Sequence, residues 1–421
     1  APSGSDSSGT VNNASRPFRG IAQAMKAIEN AQGGKADGGE VRLRPGNYVM
    51  DGNNNWNGGN ANVVNEWLTI TSDPAAGGSS SNTRITGVTN GSLSAHRLKV
   101  QSLTLAAPDI IKGSTSGEEL WLQDCDMPGG SGSSPFPVAA SWGGPMYFTE
   151  CRIANMRRAS SFAPGQKIMR NLTITNVRED CFQNVPFGVN IHVSGSDPGG
   201  GANPEHADVI QGWGDAPHNW IWYNVIAKDL HYQGIFIRSG NTAQNNAFVN
   251  CFLEMRDPIR NDPGDGRGSD WAGKFDHLIL WNCTFMGTPS RNNVALGIYE
   301  SATNPPNQFL MKNVSVRGCL FTDFRSYVST ADKAWVNNPD VDFRDNHYIN
   351  LNPPYHGMAP DSGNNTISMG DPKIEKNVSS ANLGRPLSGS PLLGRVSPPL
   401  VPADATGRQH GSSSPVGALE Q

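Results

Sequence analysis

Charged residues are scarce in this chain, and neither sign dominates. Asp, Glu, Lys and Arg make up 17% of the 421 residues, below the roughly 25% that is usual for soluble domains. With 33 basic and 37 acidic residues, the formal net charge is −4. Nucleic-acid-binding domains carry a basic surface. We therefore expect no nucleic-acid partner.

Long apolar runs are also missing. No stretch of about 18 apolar residues occurs, so we expect no transmembrane helix. The start at Ala1-Pro2 fits a processed N-terminus, and removal of an initiator methionine fits it equally well. A chain of this length can bury a sizeable core without disulfides or a metal.

The cysteines lack the Cys-x2-Cys spacing of zinc sites. Cys181 stands apart, but the other five fall at one position of a repeated strand pattern, namely Cys125, Cys151, Cys251, Cys283 and Cys319. Side chains at equivalent positions of stacked repeats point the same way, and parallel Cβ vectors suit a disulfide poorly. The sequence therefore predicts a buried ladder of free thiols.

Turn-forming residues are abundant, with 48 glycines and 30 prolines, which argues against a helical bundle. A short strand ending in a small or polar residue recurs about every 25 residues, with aligned positions 125, 151, 176, 224, 251, 283, 319 and 346. A unit this short cannot bury its own apolar face and must stack on copies of itself. The sequence therefore predicts an all-β, single-domain parallel solenoid with one repeat per coil.

One amphipathic helix is predicted near the N-terminus. Phe18, Ile21, Met25 and Ile28 recur at helical spacing, which places the helix at about 17–31. The end of a solenoid is an unpaired sheet edge, and an amphipathic helix is suited to cover it. We expect this helix to cap the first coil.

Three stretches resemble secreted right-handed parallel β-helix proteins of the pectate-lyase-like superfamily: residues 6–48, the repeated coil, and the tail 388–420. The resemblance implies a right-handed parallel β-helix, a polysaccharide substrate, a monomer, and secretion or a periplasmic or cell-surface location of the bacterial type. It specifies the fold more closely than the activity, because this fold hosts lyases, hydrolases, epimerases and adhesins.

The catalytic signatures of that superfamily are incomplete in this sequence. The segment from Arg256 to Arg260 departs from the pectate lyase pattern Arg-x-Pro-x-x-Arg by one residue, and the polygalacturonase signatures Gly-His-Gly and Arg-Ile-Lys are absent. The predicted organisation is an irregular leader at 1–16, the β-helix at 17–380, and an extended tail at 381–421 that packs on the solenoid.

A repeated acidic pattern marks the candidate metal site. Asp-x-apolar-Gln occurs at 180–183 and again at 208–211. If these are successive rungs, the glutamine amides bond along the ladder, and Asp180 and Asp208 repel unless one is protonated or a cation binds between them. With Glu205 they are the predicted ligands of Ca²⁺, and no organic cofactor is predicted. The alternative, that each Asp caps a turn or accepts backbone N–H groups, stays open.

A patch of titratable residues marks the candidate catalytic site. Alignment of Asn224 with Asn250 places Glu205 beside His231, His206 beside Tyr232, and Gly212 beside Arg238. Lyase chemistry on a uronate needs a base for the C5 proton and a cation for the carboxylate. The predicted base or acid is His231 or His206, Tyr232 is a second proton-transfer group, and Arg238 or Lys228 neutralises the substrate.

Aromatic, amide and guanidinium groups near this patch are the predicted substrate contacts, because aromatic planes pack on sugar C–H faces and guanidinium groups clamp carboxylates. They are Trp213, Gln211, Arg256 and Arg260.

Three functions remain open from the sequence. The first is an extracellular lyase that cleaves an acidic glycan by β-elimination. The second is a glycoside hydrolase that uses two of Asp180, Asp208 and Glu205. The third is a non-catalytic, carbohydrate-binding or adhesive solenoid.

Overall fold

The structure is a computed structural model. It describes residues 7, 9–13, 15–34, 38–50, 66–88, 97–108, 110–111, 118–129, 138, 144–156, 166–178, 180–196, 208–214, 219–230, 234–255, 267–287, 294–299, 311–322, 326–328, 340–349, 366–368, 371–377 and 380–419. By its contacts the chain divides into two compact units, 1–177 and 178–421. Across the described part, no helix is long and apolar enough to span a membrane.

The first unit contains one α-helix and eleven described strands. These are α1 (Ile21–Ala31), β1 (Gly39–Leu43), β2 (Gly46–Met50), β3 (Leu68–Ser72), β4 (Thr83–Val88), β5 (Arg97–Gln101), β6 (Thr104–Leu105), β7 (Glu119–Gln123), β8 (Asp126–Met127), β9 (Met146–Thr149), β10 (Arg152–Ala154) and β11 (Lys167–Val177). The predicted N-terminal helix is confirmed, and it begins at Ile21 and buries Ile21, Ala22 and Met25.

Every strand pair in the first unit is parallel, as a β-helix requires. One face runs β1–β3–β5–β7–β9–β11, with Leu68 beside Leu98 and Leu120 beside Met146. A second face runs through β2, β4, β6, β8, β10 and the end of β11. Burial alternates along each strand of the first face, since Leu120 and Leu122 are buried and Trp121 between them is not.

The second unit contains fifteen described strands. They are β12 (Phe182–Gln183), β13 (Phe187–Ser196), β14 (Ile210–Gly214), β15 (Ile221–Leu230), β16 (Ile235–Val249), β17 (Phe252–Met255), β18 (Arg267–Trp281), β19 (Thr284–Met286), β20 (Val294–Tyr299), β21 (Met311–Arg317), β22 (Leu320–Thr322), β23 (Ser326–Val328), β24 (Val341–Arg344), β25 (His347–Ile349) and β26 (Thr366–Ser368). All of their pairings are parallel too. The predicted parallel β-helix is therefore confirmed in each unit.

A column of asparagines defines the sharp turn between two faces of the second unit. Asn190, Asn224, Asn250 and Asn282 have left-handed backbones with φ between 53° and 61°, a conformation that Asn tolerates better than most residues. Each side-chain amide donates to the one before it, at 3.0, 2.9 and 2.7 Å. The ladder therefore links these side chains in series and holds successive coils in register.

The predicted thiol ladder follows this turn and is confirmed. Cys251, Cys283 and Cys319 come immediately before paired strands of the second unit, and Cys125 and Cys151 do so in the first. All are buried and free. Inside the second unit the aromatic rings of Phe285, Phe321 and Tyr348 stack at 5.4 and 5.2 Å along the same strands.

The predicted repeat alignment is wrong at position 176 and one residue out at position 224. Arg152 pairs with Thr173, which places Leu172 rather than Asn176 beside Cys151. Asn176 instead donates to Asn155 at a different turn. Asn224 lies in the asparagine column, above Asn190, one residue before the cysteine column. Coils differ in length because their loops differ, so equal spacing is a poor guide to the register.

The tail 371–419 packs on an outer face of the second unit. Its Leu392, Val396 and Val416 lie in one buried cluster with Ile226, Phe252, Met286 and Leu320. Two hydrogen bonds to the backbone of the tail fix its position: the Asn250 side-chain amide donates to the Ala403 carbonyl at 2.7 Å, and the Ala418 N–H donates to Thr284 Oγ1 at 2.9 Å. The domain boundaries at 16/17 and 380/381 stay predictions.

Gly384 marks the closest approach of the tail to the coil. Its φ is +82°, and an added Cβ would lie 2.1 Å from a ring carbon of Phe252. We expect Gly384→Ala to lower the free energy of unfolding by about 3 kcal/mol, from backbone strain and overpacking together. Gly407→Ala is the control, because its φ is +87° but nothing lies within 4 Å, so it should cost only about 1 kcal/mol. Equal losses in urea titrations of the two variants would contradict this account.

Lys167 occupies a core position in the first unit. It is 1% exposed and pairs with Met146, which pairs with Leu120. Burial lowers its pKa from 10.5 to about 8, because a dry environment disfavours the charged amine. Between these values the unfolded chain binds more protons than the folded one, so stability rises with pH.

We expect the free energy of unfolding to increase by up to about 3 kcal/mol between pH 8 and 10.5 from this group. Lys167→Met should remove that increment from urea titrations measured across the range. Lys26→Met, which alters an exposed lysine of α1, should leave it unchanged. If the free energy of unfolding changed with pH in the same way in wild type and Lys167→Met, Lys167 would not be the source of the increment.

Candidate functional site

The predicted site residues fall into two groups. Glu205, His206, His231, Tyr232, Arg256 and Arg260 lie outside the described residues, and for Trp213 and Arg238 only the backbone is described. Asp180, Asp208, Gln211 and Lys228 are described in full. The roles predicted for the first group stay predictions, and the candidate site consists of the second group and its neighbours.

The Asp-x-apolar-Gln patterns are successive rungs, as predicted. Phe182 pairs with Ile210 and Gln183 with Gln211. The Gln183 side-chain amide donates to Gln211 Oε1 at 2.8 Å, which confirms the predicted amide ladder. Gln211 in turn donates to Asp208 Oδ2 at 3.0 Å.

The carboxylates of Asp180 and Asp208 accept hydrogen bonds from the backbone and from the glutamine ladder. Asp180 Oδ1 accepts the backbone N–H of Asp208 at 3.2 Å. Asp180 is 4% exposed and Asp208 fully buried. The thiol of Cys181 has a raised pKa, caused first by burial and then by these two carboxylates. This geometry supports the structural reading of the two Asp residues.

Among the described residues, no group of three or more His, Cys, Asp or Glu side chains is arranged to hold a metal ion. Calcium takes six to eight oxygen ligands, and two carboxylates engaged as above do not supply them. Glu205 lies outside the described part, so the calcium site stays a prediction.

The predicted register of the catalytic patch needs a correction. Ile221 pairs with Ala247, which confirms the alignment of Asn224 with Asn250. On the neighbouring face, however, Gly212 pairs with Ile237 and Trp213 with Arg238. The predicted pairing of Gly212 with Arg238 is therefore wrong by one residue, because the corner within β16 contains one residue more than the corner of the preceding coil.

Lys228 lies at an irregularity in the sheet. Ala227 pairs with Leu253 and Leu230 with Met255, so Lys228 and Asp229 together oppose Glu254. This is a β-bulge, a feature that re-aims side chains and is frequent beside active sites. Asp229 has a left-handed φ of 57°, and its backbone N–H donates to Glu254 Oε2 at 2.6 Å.

Three further ionisable groups surround Lys228. Glu254 is 4% exposed. Ser194 on β13 pairs with Lys228, and His192 lies two residues before Ser194 on the same strand. Arg385, from the tail, is close enough to act on the charge of Lys228. Arg385 is held by Asp404 at 3.5 Å and by Thr406 at 2.9 Å. We call His192, Lys228, Glu254 and Arg385 the Lys228 cluster.

Burial makes the neutral, proton-accepting form of Lys228 more available. Its pKa is lowered mainly by burial and further by Arg385, while Glu254 acts in the opposite direction. The pKa of His192 is lowered by burial and by Lys228. Both groups therefore lose their protons more readily than in water, and His192, although partly covered, still presents surface to solvent. The cluster therefore holds an amine that can accept a proton, beside an arginine whose charge is shared with Asp404.

Sequence reasoning selected Lys228 but missed His192, Glu254 and Arg385. The coil from Ser194 to its partner Lys228 is 34 residues long. It is longer than the predicted repeat of about 25 residues, so the repeat does not align these two positions. Arg385 comes from the tail, and no local pattern in the sequence points to it. Trp220 and Trp222, at the start of β15, are buried in the core and are not available to a sugar.

No family model and no curated protein matches this chain. Among solved structures it is similar to the A-module of Azotobacter vinelandii mannuronan C-5 epimerase AlgE6, at 13% identity and a TM-score of 0.34, over 82% of this chain and 93% of that one. A likeness at this level carries no argument, and membership of the pectate-lyase-like superfamily stays a prediction.

The opposed effects of Glu254 and Arg385 on Lys228 can be measured. We expect Glu254→Gln, which still offers an oxygen to the Asp229 N–H, to lower the pKa of Lys228, and Arg385→Gln to raise it. The pKa can be read from the pH dependence of Lys228 labelling by an amine-reactive reagent, located by mass spectrometry. Lys312, an exposed lysine of β21, is the internal control. Shifts in the same direction in both variants would show that the cluster is assembled differently.

Proposed function

We propose that this protein is an extracellular polysaccharide-active enzyme that cleaves a uronate-containing glycan by β-elimination. The observation that carries the proposal is the Lys228 cluster, which places a lysine of lowered pKa, an arginine and an exposed histidine around one bulge. A polymer substrate fits secretion and a monomeric chain, which are part of the same proposal.

The proton acceptor we assign is Lys228. A general base must be unprotonated for part of the time, so a lowered pKa favours that role, whereas a group that neutralises the substrate carboxylate should keep its charge. This differs from the role predicted from sequence, in which Lys228 was a neutralising cation. Arg385 is assigned that second role, since a guanidinium can donate two parallel hydrogen bonds to a carboxylate.

The reaction balances with groups of this chain. Lys228 removes the C5 proton of the uronate, and positive charge from Arg385 or the predicted Arg238 stabilises the developing enolate. The electron pair forms the C4–C5 double bond as the C4–O bond breaks, and the leaving oxygen takes a proton from an acid. His231 and Tyr232, which follow the end of β15 at Leu230 in the sequence, are the proposed acids.

Hydrolysis is less well supported. Glycosidases place two carboxyl groups across the scissile bond, about 5–5.5 Å apart for retention or 6.5–9.5 Å for inversion. Asp180 and Asp208 are buried, and their oxygens accept bonds from a backbone N–H and from Gln211.

The test is ultraviolet absorbance of unsaturated uronate products from alginate and polygalacturonate. We expect Lys228→Met and Lys228→Arg both to lower kcat by 100-fold or more, since a general base contributes about 10²–10⁴-fold. Wild-type activity should fall as the pH drops below the pKa of Lys228. Lys312→Met, on an exposed lysine of the same unit, should retain full activity. Absence of ultraviolet-absorbing product from every acidic glycan, or full activity in Lys228→Met, would refute the proposal.

A further inference from the structure

The outer surface of the first unit has an unusual composition along one sheet. At alternate positions of β3, β5, β7, β9 and β11, one outward column consists of Thr69, Lys99, Trp121, Tyr147 and Ile168. Two large aromatic side chains and a lysine thus follow one another on consecutive rungs, about 4.8 Å apart. All are partly or fully exposed, while their neighbours along each strand are buried.

A third aromatic side chain closes one side of this column. Trp67 precedes β3, and its ring lies 6.0 Å from that of Trp121 and 6.3 Å from that of Tyr147, at interplanar angles of 74° and 77°. Edge-to-face contacts of this kind hold rings in fixed orientations. Trp121 is fixed further, because its indole N–H donates to Thr149 Oγ1 at 2.9 Å. We call Trp67, Lys99, Trp121 and Tyr147 the aromatic face.

The aromatic face carries a positive charge at its centre. The Lys99 ammonium lies 4.3 Å above the ring of Trp121, a cation–π contact. The acidic side chains within these strands are paired with arginines, Glu119 with Arg97 at 3.2 Å and Glu40 with Arg42 at 2.5 Å. Within the described part of these strands, Lys99 and the exposed Arg170 at the end of the neighbouring column are therefore cations without a strand carboxylate paired to them. Other acidic residues lie at the strand ends, as Glu66, Glu118 and Glu150 do.

We propose that the aromatic face is a binding platform for an anionic polysaccharide, with the glycan chain running across the rungs. Tyr147 and Trp67 stack on the C–H faces of sugar rings, and Lys99 pairs with a uronate carboxylate. The Lys99 ammonium at the centre of the aromatic rings favours an acidic glycan over a neutral one, because it can pair with a carboxylate while the rings contact the sugar. The platform lies on the first unit and does not depend on the activity of the Lys228 cluster in the second.

The test is binding of full-length protein to alginate and polygalacturonate, measured by affinity electrophoresis, with dextran as the neutral polymer. We expect Tyr147→Ala to weaken uronate binding about tenfold, as loss of one stacked aromatic side chain would. Trp121→Ala should weaken binding as well, because Trp121 contacts both the Trp67 ring and the Lys99 ammonium and fixes their positions. Lys99→Met should weaken it as well and should also reduce its dependence on salt, because a screened charge pair has been removed. A purely structural role for Lys99 would not change the salt dependence.

Trp281→Ala is the matched control. Trp281 also lies on an outer face, and its indole N–H donates to a hydroxyl one rung away, Ser315, at 2.9 Å, but Arg317 on that rung is paired with Asp345. We expect it to bind uronates as wild type does. Wild-type affinity in Trp121→Ala and Lys99→Met, equal loss in Trp281→Ala, or equal binding of dextran would overturn the proposal. Binding is measured without turnover. The binding result would therefore test the aromatic face even if the lyase assay showed no activity.

Discussion

The structure depends on keeping equivalent residues of successive coils in register at one tight turn. In the second unit that turn is a left-handed residue supplied by Asn190, Asn224, Asn250 and Asn282, whose amides bond in series. The first unit forms the equivalent turn with other residues, and there the Ser102 hydroxyl donates to Asp124 at 2.9 Å. A net contribution of about 1 kcal/mol per bond is modest, but a slip of one residue would turn every inward side chain outward.

A fixed turn lets the rest of each coil vary. The register advances by 22 residues from Arg97 to Glu119, by 34 from Phe187 to Ile221 and by 36 from Leu278 to Val314. The added residues lie away from the asparagine turn, so the core below it continues unchanged. Chemistry on such a scaffold is assembled from residues far apart in sequence, as the pairing of Ser194 with Lys228 beside Arg385 shows.

The sequence predicts most of the fold and little of the site. Strand repetition and the cysteine column predict stacked coils correctly, because burial alternates with a period of two and the thiols are core residues. Loop lengths do not follow from periodicity, so Asn176 was placed in the wrong column and Gly212 beside Arg238 rather than Ile237. The Lys228 cluster can be identified only when the strand register and the position of the tail are known. Trp121 and Tyr147 lie on different coils, so they form one surface only after the coils have stacked.

The thiol column also bears on how this protein must be handled. Cys251, Cys283 and Cys319 are buried and free while the second unit is folded, and burial keeps thiolate chemistry slow. Once the coils separate, the same sulfurs become exposed on a flexible chain, where crosslinking between molecules competes with restacking. Recovery from denaturant therefore calls for a reductant, even though the native protein contains no sulfur bridge among its described residues.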